Sequence, residues 1–249
     1  MGCFDEKKWN EFIQSPDWYF SITLEWQKFK ELKETDKELY TQCKERVYDF
    51  FEENLVKERV ALGEDGKNWD EERKPIDTVV IHHTEEEPGL SKDRLSAIVL
   101  IRLYATYYAE PYDERDKSVK GKPIWSNHVR NGKQVFYPYH WIVRTDGAVE
   151  RLLNDDEIGW QAGSWDVNTK SVAIVLDNNY ENSRPSEKEL EAVAKIIKEN
   201  YSFVPKENII GHREVERSTK ISKITTCPSN LFLSEDDKKG WKEDLLALI

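Results

Sequence analysis

Cysteine is scarce in this chain: Cys3, Cys43 and Cys227 are the only three among 249 residues. They are too few and too scattered for a disulfide framework, which makes a reducing compartment the simpler expectation. No apolar run approaches the roughly 18 residues of a membrane-spanning helix, so no span is expected. Positive charge is short as well. The 37 Lys and Arg stand against 48 Asp and Glu, a formal net charge of -11, and bulk electrostatics of that sign disfavour nucleic acid. An anionic partner needs a local basic patch, and Lys117, Lys120, Lys122, Arg130 and Lys133 form one; it either holds a carboxylate or is a solvated hairpin. The N-terminus, MGCFDEKKWN, lacks the basic-then-apolar order of a secretory signal, and Glu6 stands where a myristoylation signal needs Ser or Thr. We expect a protein that stays inside the cell unless an export signal has been removed. There is no internal repeat and no low-complexity segment.

What the chain does have is material for a core: 38% of its residues are hydrophobic and nine are tryptophan. Its length suits one large domain, or one domain with a substantial extension. Residues 1–74 are strongly charged and poor in glycine and proline, and their apolar residues recur at steps of three and four, as in Tyr40, Cys43, Val47, Phe50 and Phe51. That spacing lines one helix face, so two or more amphipathic helices are expected. The run ALGEDGKNWDEERKP is polar, holds Gly63 and Gly66 and ends at Pro75, the composition of a connection. The boundary falls there.

From Ile76 short β-rich runs alternate with helical ones. IDTVVIHH reads as a buried strand, and SKDRLSAIVLIRLYATYYAEP as a helix with Leu95, Ile98, Arg102 and Ala105 three or four apart, stopped by Pro111. Asn131-Gly132 lies between two β-prone runs with the composition of a type I′ turn, and Asp146-Gly147 repeats the device one strand later. SVAIVLDN is another buried strand. In SEKELEAVAKIIKENY, Ser186 and Glu189 stand in capping-box register and Leu190, Val193, Ile196 and Ile197 share a face. ENIIGHREV is a short strand or strand end, and a helix over Trp241 to Leu248 closes the chain. The reading is a mixed α/β domain over 75–249 behind an N-terminal helical extension, 1–74.

The chain has only five histidines. Successive strand residues face opposite ways, so at most one of His82 and His83 serves a site on one side of the sheet; the pattern alone does not choose, because both faces are apolar. His212 ends a second apolar run, and Cys227 follows in ITTCPS. Two imidazoles and a thiolate suit zinc and leave a fourth tetrahedral position open. Spacing alone is a weak signal, since a lone histidine at a strand end is more often a packed or capping residue and no H-E-x-x-H run is present.

The order of motifs carries more. VVIHHT, YPYHWIVRTDGAVERLL, GWQAGSW, NTKSVAIVLDNN, a helix, NIIGHREV and TTCPS follow one another from Ile76 onward. This series resembles the zinc-dependent N-acetylmuramoyl-L-alanine amidases of type 2, a superfamily that includes phage amidase-type lysozymes and peptidoglycan-recognition proteins. The resemblance implies a mixed central β-sheet flanked by helices, with Zn2+ as cofactor. It implies metal ligands at the first histidine of the HH pair, the histidine of GHRE and the cysteine of the CP motif, which are His82, His212 and Cys227. It also implies a catalytic tyrosine just before the R-T-D-G strand, Tyr139, which would orient or deprotonate the zinc-bound water or hydrogen-bond the oxyanion. Two residues before the cysteine stands Thr225, as in the recognition proteins, where phage enzymes carry lysine; its hydroxyl would donate to the oxyanion without adding charge. The implied reaction is hydrolysis of the amide between N-acetylmuramic acid and L-alanine. The implied partner is peptidoglycan or a muropeptide. A monomer is expected, cytoplasmic as written or released to the wall as a phage-type lysin.

The chain departs from that pattern in places. Gln161 in GWQAG stands where the family often has histidine, and REVERSTKISKITT, between His212 and Cys227, is longer than usual. Val175 and Cys227 argue against the cytoplasmic recycling branch, which has glutamate and aspartate there. His83 reads as a core or supporting residue, His128 as a surface one, and His140 as either. Trp160 and Trp165 either stack on a sugar ring or pack under their loop. The rival to the enzyme is a recognition protein that binds muropeptide without cutting it. The N-terminal helices cover the fold's back, shape a groove or bind a partner.

Overall fold

The structure is a computed structural model that describes residues 4–15, 18, 21, 29, 31–62, 66–102, 128–215, 225–235 and 238–249. In chain order the elements are α1 (Glu6–Phe12), α2 (Lys37–Val56), β1 (Thr78–His83), α3 (Lys92–Arg102), β2 (Val129–Arg130), β3 (Lys133–Gln134), β4 (Trp141–Val143), β5 (Val149–Arg151), α4 (Trp165–Lys170), β6 (Ser171–Leu176), α5 (Glu187–Asn200), β7 (Ile209–Gly211) and α6 (Trp241–Leu248). Ala105, Pro111, Lys117, Lys120 and Lys122 lie outside the described residues. The chain groups into two compact units, Met1–Asn68 with Ser91–Phe136, and Trp69–Leu90 with Tyr137–Ile249. The described residues 91–102 and 128–136 thus group with the N-terminal helices, where sequence reading places a single cut near Pro75. No described helix is long and apolar enough to cross a membrane.

In the first unit the periodic face of α2 is inside: Cys43, Val47, Phe50 and Phe51 are buried. Phe51 meets Trp9 at 6.0 Å and Trp18 at 4.9 Å between ring centroids. Helix α3, with Leu95 and Ile98 buried, packs on α2, and its buried Arg94 is neutralised by Glu45, by Asp49 at 2.6 Å and by Glu52 at 3.5 Å. Two sequence expectations fail in this unit. Cys43 is disulfide-bonded rather than reduced, and His128 is fully buried rather than on the surface. The second misreading has a simple cause. His128 stands just ahead of the hairpin, where Val135 N–H donates to its carbonyl at 2.9 Å, and nothing in the local pattern shows which way such a residue turns. The Asn131-Gly132 turn is as expected, with φ of 53° and 76°, the doubly positive backbone of a type I′ turn.

The second unit is built on a five-stranded mixed sheet in the order β5-β4-β6-β1-β7. Strand β1 runs parallel to β6 from Thr78↔Ser171 to His83↔Leu176, and parallel to β7 from Val79↔Ile209 to Ile81↔Gly211. Strands paired on both sides and covered on both faces are built mainly from apolar residues, which is why VVI and VAIVL are continuous runs, and every residue of both strands is buried. Strand β5 turns back antiparallel on β4 through Asp146-Gly147, where Gly147 has φ of 87°. On one face Val79, Ile81, Val172, Ile174 and Leu176 pack against Leu190, Val193, Ile196 and Ile197 of α5 and against Trp241 and Leu245 of α6. Val80 turns to the other face, toward Ala162 and Val215. The start of α5 has the expected box: Ser186 N–H donates to Glu189 Oε2 at 2.9 Å and Glu189 N–H to Ser186 Oγ at 3.4 Å.

His140, which the sequence left open, is a wholly buried strut. Its Nδ1 accepts the Ala173 N–H at 3.1 Å and its Nε2 meets the Glu157 carbonyl at 2.9 Å. Burial, seconded by the nearby Arg73 guanidinium, pushes its pKa down to about 3. Between the ordinary value of 6.5 and about 3 the unfolded chain takes up a proton that the folded chain refuses, so stability falls as pH drops through that window. Replacing His140 with glutamine, which cannot titrate, should flatten that decline when urea midpoints are followed from pH 7 to 4. An unchanged slope would show that other groups set the acid limit.

Candidate metal centre

Strand alternation now separates the histidine pair. His83 points to the α5 side, where its Nδ1 accepts the Tyr180 N–H at 2.9 Å. His82, one residue earlier, is buried at the carboxyl end of β1 on the opposite face. His212 is the first residue of a 3-10 turn (His212–Glu214) that directly follows β7. Because β7 is the parallel neighbour of β1, the two imidazoles leave the sheet at the same edge, with ring centroids 4.7 Å apart.

Cys227 is a buried thiol outside any disulfide that reaches this edge from a distant segment. Arg213 N–H donates to the Cys227 carbonyl at 2.7 Å, and the Arg213 guanidinium donates to the Ser229 carbonyl at 3.0 Å. Glu214 caps the same turn, accepting Gly211 N–H at 2.8 Å while paired with Lys242 at 2.7 Å. Gly211 is required for contact rather than for backbone freedom: a Cβ there would lie 2.5 Å from Phe232 and 2.7 Å from Pro228. The long connection flagged in the sequence lies largely outside the described residues, but its two ends are tied together. A long loop between fixed ends costs little extra entropy.

The result is a cluster in which one donor atom from each of His82, His212 and Cys227 lies within 4.8 Å of the others, a group able to hold a metal ion. Cys227 Sγ is 3.6 Å from His82 Nδ1. The half-buried Tyr139 precedes β4 and sets its ring 5.1 Å from that of His82. Thr225 Oγ accepts the Cys227 N–H at 3.1 Å, so this hydroxyl also shapes the cysteine's turn. All five candidate residues therefore meet at one sheet edge.

Two features of the surroundings were not foreseen. Gln161, noted in the sequence only as a departure, is buried with its Oε1 2.6 Å from His82 Nε2. Trp69 joins the GWQAGSW tryptophans: it meets Trp165 at 5.1 Å, and Trp160 meets Trp165 at 5.2 Å. Trp165 also donates to Glu72 at 2.9 Å, while Trp160 is exposed. No local periodicity announces either contact. The basic patch fares differently, since Lys133 is paired with Glu58 and its other lysines are outside the described residues.

A mixed sheet that brings two imidazoles together at the carboxyl ends of the adjacent parallel strands β1 and β7, with a thiol reaching them from a later segment, defines an α/β protein with a cluster able to hold a metal ion. The family model for N-acetylmuramoyl-L-alanine amidase matches residues 72–230, and the chain belongs to that family. No curated protein sequence matches it. Among solved structures it is similar to the amidase LysC from Clostridium intestinale, at 16% identity over 71% of this chain and 85% of that one, TM-score 0.42. It is similar also to the Apis mellifera peptidoglycan-recognition protein SA, at 19% identity over 68% and 82%, TM-score 0.40. Likeness at that level adds nothing to the assignment, which rests on the family model.

The close approach at Gly211 yields a direct expectation. Gly211→Ala forces Phe232 or Pro228 away from the turn that carries His212, and overpacking of this kind costs about 1–3 kcal/mol. Urea unfolding of the intact protein should show that loss; an unchanged midpoint would mean the loop yields freely.

Proposed function

We propose that this protein hydrolyses the amide between N-acetylmuramic acid and L-alanine in peptidoglycan or muropeptides, with one zinc ion held by His82, His212 and Cys227. The observation that carries the reading is the convergence of those three donors beside Tyr139. The donor set fits the ion. Bonds of about 2.3 Å to sulfur and 2.0–2.1 Å to nitrogen place tetrahedral neighbours roughly 3.6 Å apart, which is the Cys227 Sγ to His82 Nδ1 separation of 3.6 Å. Three protein ligands leave a position for water or substrate.

When bound, zinc lowers the pKa of a coordinated water to about 7 and polarises the scissile carbonyl. The rest falls to the protein. Cys227, held as the thiolate, would bring one negative charge to the donor set. Tyr139, next to His82, takes up or returns the proton of the attacking water, or donates to the oxygen as it becomes negative. Thr225, whose oxygen already accepts from Cys227 N–H, has its own proton to give to that same oxygen. Burial of His82 and Cys227 excludes competing water and strengthens each of these interactions.

The alternative is a receptor that holds muropeptide without cutting it. A full set of three donors with a tyrosine against it supports hydrolysis. The test is zinc content together with release of new amino termini from purified peptidoglycan. Wild type should carry about one zinc per chain and release amines, Cys227→Ala should lose both, and Tyr139→Phe should keep zinc while losing roughly 10²–10⁴-fold in rate. Stoichiometric zinc without amine release in the wild type would overturn the enzyme in favour of the receptor.

A further inference from the structure

We propose that Gln161 is a positioning residue that dictates the tautomer of His82: its amide oxygen holds the imidazole proton on Nε2, so that a lone pair on Nδ1 faces the metal position. The inference rests on the zinc reading for its purpose, but its geometry stands separately. A neutral imidazole carries one proton and two candidate nitrogens, and only the unprotonated one can bind a metal. His82 Nε2 is 2.6 Å from Gln161 Oε1, and His82 Nδ1 is 3.6 Å from Cys227 Sγ. With the proton on Nε2 both contacts are satisfied at once: the ring donates to the amide oxygen, and Nδ1 accepts from the thiol. Ligand substitution then replaces the thiol proton, which leaves for solvent, while the Gln161 bond is untouched.

Gln161 is itself braced. Its Nε2 donates to Ser171 Oγ at 2.9 Å while its oxygen faces His82, so both ends of the amide are engaged. The backbone N–H groups of Gln161 and Ala162 donate to Asn168 Oδ1 at 3.2 and 2.9 Å. The carbonyls of Asn168 and Ser171 in turn accept from Arg73 Nη1 at 3.1 and 2.8 Å. Gln161, Asn168 and Ser171 are all buried. The choice of residue also matters. A histidine at 161, as the resembled family often has, presents either a proton or a lone pair to its neighbour. An amide oxygen can only accept, so in this chain the tautomer of His82 does not depend on the state of a second ring.

The experiment begins with zinc-free wild-type protein labelled with 15N in histidine. Two-bond 1H–15N correlations should place the His82 proton on Nε2; a proton on Nδ1 in the folded wild type overturns the proposal, and this measurement needs no variant. Gln161→Leu, checked for folding by near-ultraviolet circular dichroism, should lose the single tautomer and bind zinc about 10–100-fold more weakly in chelator competition. Gln161→Glu keeps an acceptor and should restore both the tautomer and the affinity. A folded Gln161→Leu protein with an unchanged tautomer and wild-type zinc affinity would also overturn it. If the wild type shows the Nε2–H tautomer yet binds no zinc, the tautomer assignment stands and the zinc amidase reading falls.

Discussion

Everything at the candidate site depends on the register of β1 between β6 and β7. The strand is hydrogen-bonded on both sides and covered on both faces, with Val79 and Ile81 toward α5 and Val80 toward Ala162 and Val215. Side chains alternate with a period of two, so a slip of one residue would exchange the faces of His82 and His83. It would also set Val79 and Ile81 against the wrong layer. Both layers are apolar, so it is the packing misfit of that exchange, rather than lost burial, that holds one imidazole at the candidate site and the other at the backbone of Tyr180.

The second constraint joins segments that sequence separates. Parallel pairing carries β7, and with it His212, to the same sheet edge as His82. Cys227 arrives by a different route, through main-chain and guanidinium bonds from Arg213 and through the close contact of Pro228 and Phe232 with Gly211. These ties hold the thiol in place from the His212 side, so the connection between the two can vary in length without moving either donor. The site is thus a product of one strand edge and one clamp.

Much of the fold was legible because its signals are local. The continuous runs at β1 and β6, the Ser186–Glu189 box and the two turns with positive φ at Asn131, Gly132 and Gly147 follow from propensity and from backbone geometry. Candidate ligands were legible for a different reason, the order of several motifs along the chain, which no single spacing could supply. Misreadings fell where burial is decided by distant residues. His128 looked like a surface residue ahead of a hairpin and is wholly inside; Cys43 looked like a reduced thiol and is bonded.

The sequence by itself determined the kinds of group available: two strand-end imidazoles on apolar runs, one thiol, a tyrosine beside a strand, and a glutamine in place of a ring. Those are facts of residue chemistry and of short-range periodicity. Only the tertiary structure decided which groups meet. It turned His82 and not His83 to the site, brought Cys227 to 3.6 Å from His82 across 145 positions, and set the Gln161 oxygen on the far nitrogen of the same ring. The reason is physical: a periodic pattern fixes the face on which a side chain lies, whereas the identity of its neighbour depends on strand order and loop clamping, which no local pattern encodes.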